Sequence, residues 1–171
     1  LTIELDAVIN DFNLIAPLKI ISLPKNKGLG NALRTGLNNC SNEIVFRMDT
    51  DDISKPSRFE EQVKVFNKKS NKAVIIGSNI QEFNLKPYDL SRIRKVPASF
   101  NQINNFKFYR NPFNHMTVGF LKSVILEKGG YKDMPGYEDY YLWMRVLKDY
   151  EGINLTNSLV HARVGNDMIG R

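Results

Sequence analysis

The chain has 171 residues, 42% of them hydrophobic and 25% charged, a composition that excludes a disordered or low-complexity chain. Its net charge of +6 and pI near 9.4 favour anionic partners such as nucleotide phosphates or anionic lipid surfaces. No apolar run approaches the roughly 20 residues that span a membrane, and the single Cys40 excludes an internal disulfide. We therefore expect a cytoplasmic domain. Because Leu1 rather than Met opens the chain, we also expect a piece of a longer protein.

Hydrophobic spacing predicts alternating helices and strands in the first half of the chain. Leu5, Val8 and Phe12 fall at helical spacing, and Ser57 with Glu60 forms a capping-box pattern ahead of a later helix. In chain order, the predicted elements are a helix over 2–12, a strand over 18–23, a helix over 29–37, a strand over 43–48 and a helix over 57–69.

The second half continues the alternation. The predicted elements are a strand over 73–78, a loop or edge segment over 84–98, a helix over 99–109, a strand over 116–121, a short helix over 123–128, a helix over 137–149 and a strand over 159–164. Strands alternating with helices predict a mostly parallel α/β sheet. Without repeats or linker-like segments, we expect a single domain over 1–171.

An acidic run, Asp49-Thr50-Asp51-Asp52, directly follows the strand predicted over 43–48. Ligands of open α/β sheets bind beyond the carboxyl ends of the strands. Carboxylates there suit Mg²⁺ or Mn²⁺, which share their coordination with a diphosphate. The alternative is a solvated turn in which Asp51 or Asp52 caps the following helix. Spacing alone leaves both interpretations open.

A second candidate is Asp139, in the segment from Gly136 to Trp143. It lies one helical turn before Trp143, where a carboxylate could take a proton from an attacking hydroxyl group. Alternatively, Glu138 and Asp139 simply favour the positive end of the helix dipole.

Two further segments carry candidate ligand contacts. Lys27 lies in Asn26-Lys27-Gly28-Leu29-Gly30, where glycines ahead of a helix could admit a phosphate, although a plain strand-to-helix turn has the same pattern. His115 ends Arg110-Asn111-Pro112-Phe113-Asn114-His115 and either starts a strand or faces an acceptor or a phosphate. It has no neighbouring His or Cys with which to form a zinc site.

Five ordered segments of this chain resemble the family 2 glycosyltransferases, which have the GT-A fold. They are residues 26–33, 47–56, 110–115, 129–131 and 138–143. The resemblance extends over nearly the whole chain. It implies a GT-A-like, Rossmann-like α/β fold with a mostly parallel sheet. It also implies an inverting enzyme that moves a sugar from a nucleotide-diphosphate donor to a hydroxyl group of a glycan or lipid-linked acceptor.

The resemblance also implies residue roles. Asp49-Thr50-Asp51 corresponds to the family's DxD motif, with Asp51 binding Mn²⁺ or Mg²⁺ and Asp49 contacting the nucleotide or the metal shell. Asp139 corresponds to the base that activates the acceptor hydroxyl. Asp52, Lys27 and His115 are further candidates for nucleotide-sugar binding.

Two departures from the family pattern stand out. The family usually opens with a strand leading into Pro-x-Tyr-Asn and has a later strand that ends in Asp-Asp-Gly-Ser, and neither segment is found here. Arg34 stands where the family often has Asn. We therefore expect an N-terminally incomplete domain whose unpaired strand edges favour self-association.

Two other functions compete with this prediction. A nucleotidyltransferase also needs carboxylates, a metal and a nucleotide, but not Asp139. A non-catalytic module could bind nucleic acid or anionic surfaces through its charge of +6. The chain lacks the interleaved aromatic and basic residues that stack bases, so we expect no nucleic-acid partner. The excess positive charge suits peripheral contact with the inner face of a membrane.

Overall fold

The computed structural model describes residues 3–165, which form six α-helices and six strands. The helices are α1 (Ile3–Ile15), α2 (Leu29–Asn39), α3 (Arg58–Phe66), α4 (Phe100–Phe106), α5 (Lys122–Glu127) and α6 (Glu138–Val146), with a 3₁₀ turn at His115–Thr117. The strands are β1 (Ile44–Phe46), β2 (Ile53–Ser54), β3 (Ala73–Phe83), β4 (Arg92–Arg94), β5 (Gly119–Leu121) and β6 (Glu151–Arg163). None of these helices is long and apolar enough to cross a membrane.

The strands form one sheet in the order β1-β5-β3-β6-β2, and β4 pairs with the second half of β3. The long strands β3 and β6 run parallel along nearly their whole length. The other four pairings in the described chain are antiparallel. Because β5 runs antiparallel to both of its neighbours, β1 points the same way as β3 and β6, and their carboxyl ends lie on one side of the sheet.

The predicted α/β class is confirmed, but the prediction of mostly parallel pairing is wrong. The connection between β3 and β4, residues 84–91, is too short for the crossover that parallel strands require, so β4 returns as a hairpin. The strand predicted over 116–121 forms as β5, but it enters the sheet in the opposite direction, between β1 and β3.

Two local predictions also need correction. Residues 18–23 form no strand; they lie beside β1 and line with it a cleft of about 750 Å³. The capping box at Ser57 does not form, because the Ser57 hydroxyl donates to Glu61 Oε1 at 2.8 Å instead. A capping box forms at Ser99, at the start of α4.

The main core lies between the sheet and helices α4 to α6. Trp143 of α6 is fully buried there, with its ring edge-on to Phe113 at a centroid distance of 5.7 Å. Gly152 of β6 has to be a glycine because a Cβ atom there would lie 2.7 Å from the Phe113 ring. Removing a side chain as large as Trp143 from such a core costs about 3–5 kcal/mol. This packing fixes α6, whose first turn carries Asp139.

Candidate active site

The acidic run forms a tight turn just beyond β1. The Asp52 N–H donates to the Asp49 carbonyl at 3.4 Å, which closes the turn. The Asp51 side chain is exposed and has no hydrogen-bond or ion-pair partner within residues 3–165. Asp49 is half-buried and forms an ion pair with Arg47. The turn therefore presents one free carboxylate and one that is already neutralised.

Asp52 faces the sheet rather than helix α3. Its Oδ1 atom accepts a hydrogen bond from the Arg163 N–H of β6 at 2.8 Å, so the predicted alternative of helix capping is not what Asp52 does. Its Oδ2 atom is buried without a partner in the described chain. Burial, reinforced by the charges of Asp49 and Asp51, raises the pKa of Asp52 to about 6, although the Arg163 hydrogen bond opposes the rise.

A buried polar network beneath the turn fixes its backbone. Arg58 of α3 is fully buried and donates to the Arg47 carbonyl at 2.7 Å and to Gln62 Oε1 at 3.1 Å. Gln62 in turn donates to the carbonyls of Ile76 at 2.6 Å and Thr117 at 2.9 Å. Burial lowers the pKa of Arg58 to about 10, which leaves it charged. The start of α3 is thereby tied to β3 and to the chain entering the acidic turn.

Asp139 occupies the first turn of α6 and lines a cavity of about 300 Å³. Its Oδ2 atom accepts a hydrogen bond from Asn111 Nδ2 at 2.6 Å, and its Oδ1 atom accepts one from the Tyr140 N–H at 2.7 Å. Burial raises the pKa of Asp139, while these hydrogen bonds and the positive charge of Arg47 oppose the rise. An oriented carboxylate with a raised pKa in a cavity is suited to accept a proton.

His115 lines the same cavity, and its ring Nε2 lies 3.0 Å from the Tyr131 hydroxyl. Burial, together with the charge of Arg47, lowers the pKa of His115 well below its ordinary value, so the ring is neutral. The Trp143 ring stands edge-on to it at a centroid distance of 6.0 Å. His115 therefore forms a fixed, uncharged part of the cavity wall.

Arg47 connects the two halves of the site. Its side chain is only 9% exposed, and its Nε atom is buried with no partner in the described residues. It forms the ion pair with Asp49, and its charge also acts on the pKa of Asp139 and of His115. One guanidinium thus lies close to both the acidic turn and the Asp139 cavity.

Lys27 is not joined to either half. Within residues 3–165, no hydrogen bond or ion pair links its side chain to the acidic turn or to Asp139. The glycines around it have packing roles instead: Gly28 adopts a positive φ of 83°, and a Cβ atom on Gly30 would lie 2.3 Å from the Lys132 carbonyl oxygen. The segment therefore seats α2 closely against the chain that leads into α6.

The family model for glycosyl transferase family 2 matches residues 4–130. The chain belongs to this family.

Relatives at higher identity agree with the family assignment. The chain is 45% identical over 173 residues to an uncharacterized glycosyltransferase of Haemophilus influenzae. It is 38% identical to the amylovoran biosynthesis glycosyltransferase AmsE of Erwinia amylovora. It is 39% identical to the UDP-Gal:alpha-D-GlcNAc-diphosphoundecaprenol beta-1,3-galactosyltransferase of Escherichia coli. Each match covers 98–99% of this chain and 62–63% of the relative, so the chain spans less than two thirds of their length.

Solved structures confirm the GT-A-like fold. S. aureus TarS, in complex with UDP-GlcNAc, superposes with a TM-score of 0.75 at 15% identity, over 99% of this chain and 49% of that one. The mannosyltransferase PcManGT from Pyrobaculum calidifontis, in complex with GDP-Man and Mn²⁺, superposes with a TM-score of 0.67 at 16% identity, over 98% of this chain and 46% of that one.

In this glycosyl transferase family 2 chain, Asp139, His115 and Asn111 line one cavity. Arg47 forms an ion pair with Asp49, and its charge also acts on the pKa of Asp139. Arg47 and Asn111 are not among the site residues that the sequence predicts. Both lie inside segments that carried the family resemblance, at 47–56 and 110–115, and that position was the only signal for them. Among residues 3–165, no three His, Cys, Asp or Glu side chains are grouped to hold a metal ion without further ligands.

Proposed function

We propose that the protein is an inverting glycosyltransferase that moves a sugar from a nucleotide-diphosphate donor to a hydroxyl group of a glycan or lipid-linked acceptor. The observation that carries the proposal is the Asp139 carboxylate, which is oriented by Asn111 in a cavity and feels the charge of Arg47, the ion-pair partner of Asp49. The relatives named for amylovoran biosynthesis and for galactosyl transfer to a diphosphoundecaprenol-linked sugar support a role in polysaccharide assembly. Such acceptors suit a cytoplasmic enzyme with peripheral contact to the inner face of the membrane.

Asp139 is the base in the proposed reaction. The acceptor hydroxyl donates a hydrogen bond to the carboxylate, and Asp139 takes its proton as the hydroxyl oxygen bonds to the anomeric carbon of the donor. The bond from that carbon to the diphosphate oxygen breaks, and its electron pair leaves on the nucleoside diphosphate. Attack opposite the leaving group inverts the anomeric configuration. Burial makes Asp139 a stronger base, and Arg47 keeps it ionised at lower pH than burial alone would allow.

We infer that the acidic turn supplies oxygen ligands to a hard divalent cation. The Asp51 and Asp49 carboxylates are oxygen donors of the kind that Mg²⁺ and Mn²⁺ accept together with phosphate oxygens. We propose that Asp51 and Asp49 hold the ion, which when bound neutralises charge on the departing diphosphate. Asp52, Lys27 and His115 stay predicted contacts of the nucleotide sugar.

Asp139→Asn tests the proposal because the amide keeps the shape of the side chain but cannot accept the proton. We expect kcat for sugar transfer to fall by about 10²–10⁴, the usual contribution of a general base, with the Kd of the nucleotide sugar unchanged. Asp133→Asn, an exposed acid on the loop before α6, is the matched control and keeps wild-type kcat. Full sugar transfer by Asp139→Asn would contradict the proposal, and nucleotidyl transfer by that variant would favour a nucleotidyltransferase.

A further inference from the structure

Cationic side chains and an apolar groove lie next to each other on the surface around Asp139. Three cations, Arg94, Lys95 and Arg110, border the cavity that holds the carboxylate. A second, largely apolar groove of about 520 Å³ shares Lys95, Val96 and Phe106 with that cavity. Because the two share part of their lining, the surface runs from a carboxylate to a cationic rim and then to an apolar groove.

The rim is held in place from the sheet. Arg94 at the end of β4 forms an ion pair with Glu82 of β3, a buried carboxylate that also binds Arg92. The next segment is fixed by the Val96 N–H, which donates to Asn79 Oδ1 at 2.9 Å. Lys95 lies between these two anchors, so its backbone position at the rim is defined.

Arg110 reaches the rim from the opposite side. It directly precedes Asn111, whose amide donates to Asp139, so the turn that orients the base also carries this guanidinium. In the described part of the chain, neither the Lys95 nor the Arg110 side chain has a hydrogen-bond or ion-pair partner. Asp139 is the only acid among the residues that line the cavity. The cavity therefore carries an uncompensated positive charge, which attracts an anionic group.

The groove continues beyond the rim along α4. Pro97, Phe106 and Tyr109 line it together with Val96. Tyr109 is 87% exposed, and the neighbouring Phe108 is 68% exposed, so the end of α4 presents two large aromatic rings to solvent. An exposed apolar patch that adjoins a cationic one is suited to a ligand that has a charged group followed by an apolar chain.

We propose that the acceptor is a sugar joined through a phosphate or diphosphate to a lipid, with the phosphate on Lys95 and Arg110 and the first part of the lipid in the groove. The inference rests on the proposed function, since it takes Asp139 as the base. A cavity of about 300 Å³ is at the lower end of ligand sites and suits one sugar better than an oligosaccharide. The reacting hydroxyl is then on the sugar that carries the phosphate.

The double variant Lys95→Ala/Arg110→Ala tests the rim. Three acceptors with one sugar are compared: its diphosphate with a short prenyl tail, its diphosphate without a tail, and a neutral glycoside with the same tail. We expect the KM of both diphosphate acceptors to rise about 10- to 100-fold, as for loss of charge-assisted hydrogen bonds. The KM of the donor and of the neutral glycoside stay unchanged. Lys68→Ala/Lys69→Ala, which removes two exposed lysines between α3 and β3, is the charge-matched control and changes none of these values.

Tyr109→Ser tests the groove separately. It is expected to raise the KM of the tailed acceptors and to leave the KM of the tail-free diphosphate as in the wild type. Equal KM values for tailed and tail-free diphosphates in the wild-type protein would overturn the lipid part of the proposal.

The outcomes separate the sources of the anion. A rise in the donor KM with an unchanged acceptor KM would show that the rim holds the donor's diphosphate and would overturn the inference, as would no change in either. If no sugar transfer is detected at all, the proposed function fails. Calorimetric binding of a sugar-free prenyl diphosphate then still tests whether Lys95 and Arg110 bind a lipid diphosphate. Loss of this binding in Lys95→Ala/Arg110→Ala, but not in the lysine control, supports the phosphate site. Equal binding by the wild type, the double variant and the lysine control overturns it.

Discussion

At the scale of single residues, Arg47 interacts electrostatically with both acidic parts of the site, Asp49 and Asp139. It is nearly buried, pairs with Asp49 and places its charge close enough to lower the pKa of Asp139. A cation beside a carboxylate favours the ionised form, whereas burial disfavours it. Arg47 therefore favours the ionised form of Asp139, as do the hydrogen bonds from Asn111 and from the Tyr140 N–H, against the burial that raises its pKa.

We predict that Arg47→Met raises the pH at which activity is lost on acidification. Asp139 must be ionised to take a proton, and without the neighbouring charge its pKa rises further. The acid limb of kcat/KM should then move to higher pH. Arg47→Lys keeps a positive charge and should leave the limb near its wild-type position. Lower activity of Arg47→Met with an unmoved acid limb would show that Arg47 acts only through packing.

The candidate residues differ in how far the sequence could reveal them. Asp139 and Asp51 could be proposed as candidates because carboxylates at the start of a helix and after a strand are visible as patterns. Arg47 could not be singled out, since neither its burial nor its closeness to Asp139 can be derived from positions so far apart in the chain. The neutral state of His115 likewise depends on the burial that Tyr131 and Trp143 provide.

At the scale of single elements, α3 shows the limit of hydrophobic periodicity. The helical spacing of Phe59, Gln62, Val63 and Phe66 predicts a mainly apolar stripe on this helix. The helix forms, but its fully buried side chains are Arg58 and Gln62, and Phe59 is 52% exposed. A hydrophobic pattern depends only on which side chains are apolar. It takes no account of buried main-chain carbonyls that need hydrogen-bond donors. Gln62 donates hydrogen bonds to two such carbonyls, so a polar side chain suits this core position better than an apolar one.

We predict that Gln62→Leu destabilises the fold although it replaces a polar core side chain with an apolar one. The carbonyls of Ile76 and Thr117 each lose a buried donor, and Arg58 loses the acceptor for its Nε–H. The free energy of unfolding should fall by about 2–4 kcal/mol in urea denaturation. Glu60→Ala, on the exposed face of the same helix, should change it by less than about 0.5 kcal/mol. Equal stability of the two variants would contradict a structural role for the network.

At the scale of the whole molecule, the alternation of elements predicted the α/β class but not the strand directions. The alternation implies helical crossovers between parallel neighbours, and β3 and β6 do pair in that way. The short strands β2, β4 and β5 instead enter antiparallel, because their directions depend on loop paths that hydrophobic patterns do not specify. The strand order determines which strand edges are unpaired. Hydrophobic patterns do not give that order, so they could not identify the unpaired edges.

The outer edge of β1 leads to a prediction about association. The Arg47 N–H bonds to the Val118 carbonyl and the Lys122 N–H to the Glu43 carbonyl, so the intervening alternate residues, Ile44 and Phe46, direct their backbone groups away from β5. Within residues 3–165, no other strand pairs with that edge. Helix α1 adds exposed apolar surface, with Leu14 87% and Ile15 82% exposed. An unpaired edge and an exposed apolar surface both favour association between copies.

We therefore expect light scattering to give a particle mass that rises with protein concentration. Leu14→Lys/Ile15→Lys adds charge to the exposed surface without touching the core, so it should shift the particles toward monomer. Its free energy of unfolding should stay within about 0.5 kcal/mol of the wild-type value, as is usual for surface changes. Lys68→Ala, exposed beyond α3, is the control and should associate like the wild type. A wild-type protein that stays monomeric at every concentration would contradict the prediction, because the edge and the apolar surface would then be covered within one copy.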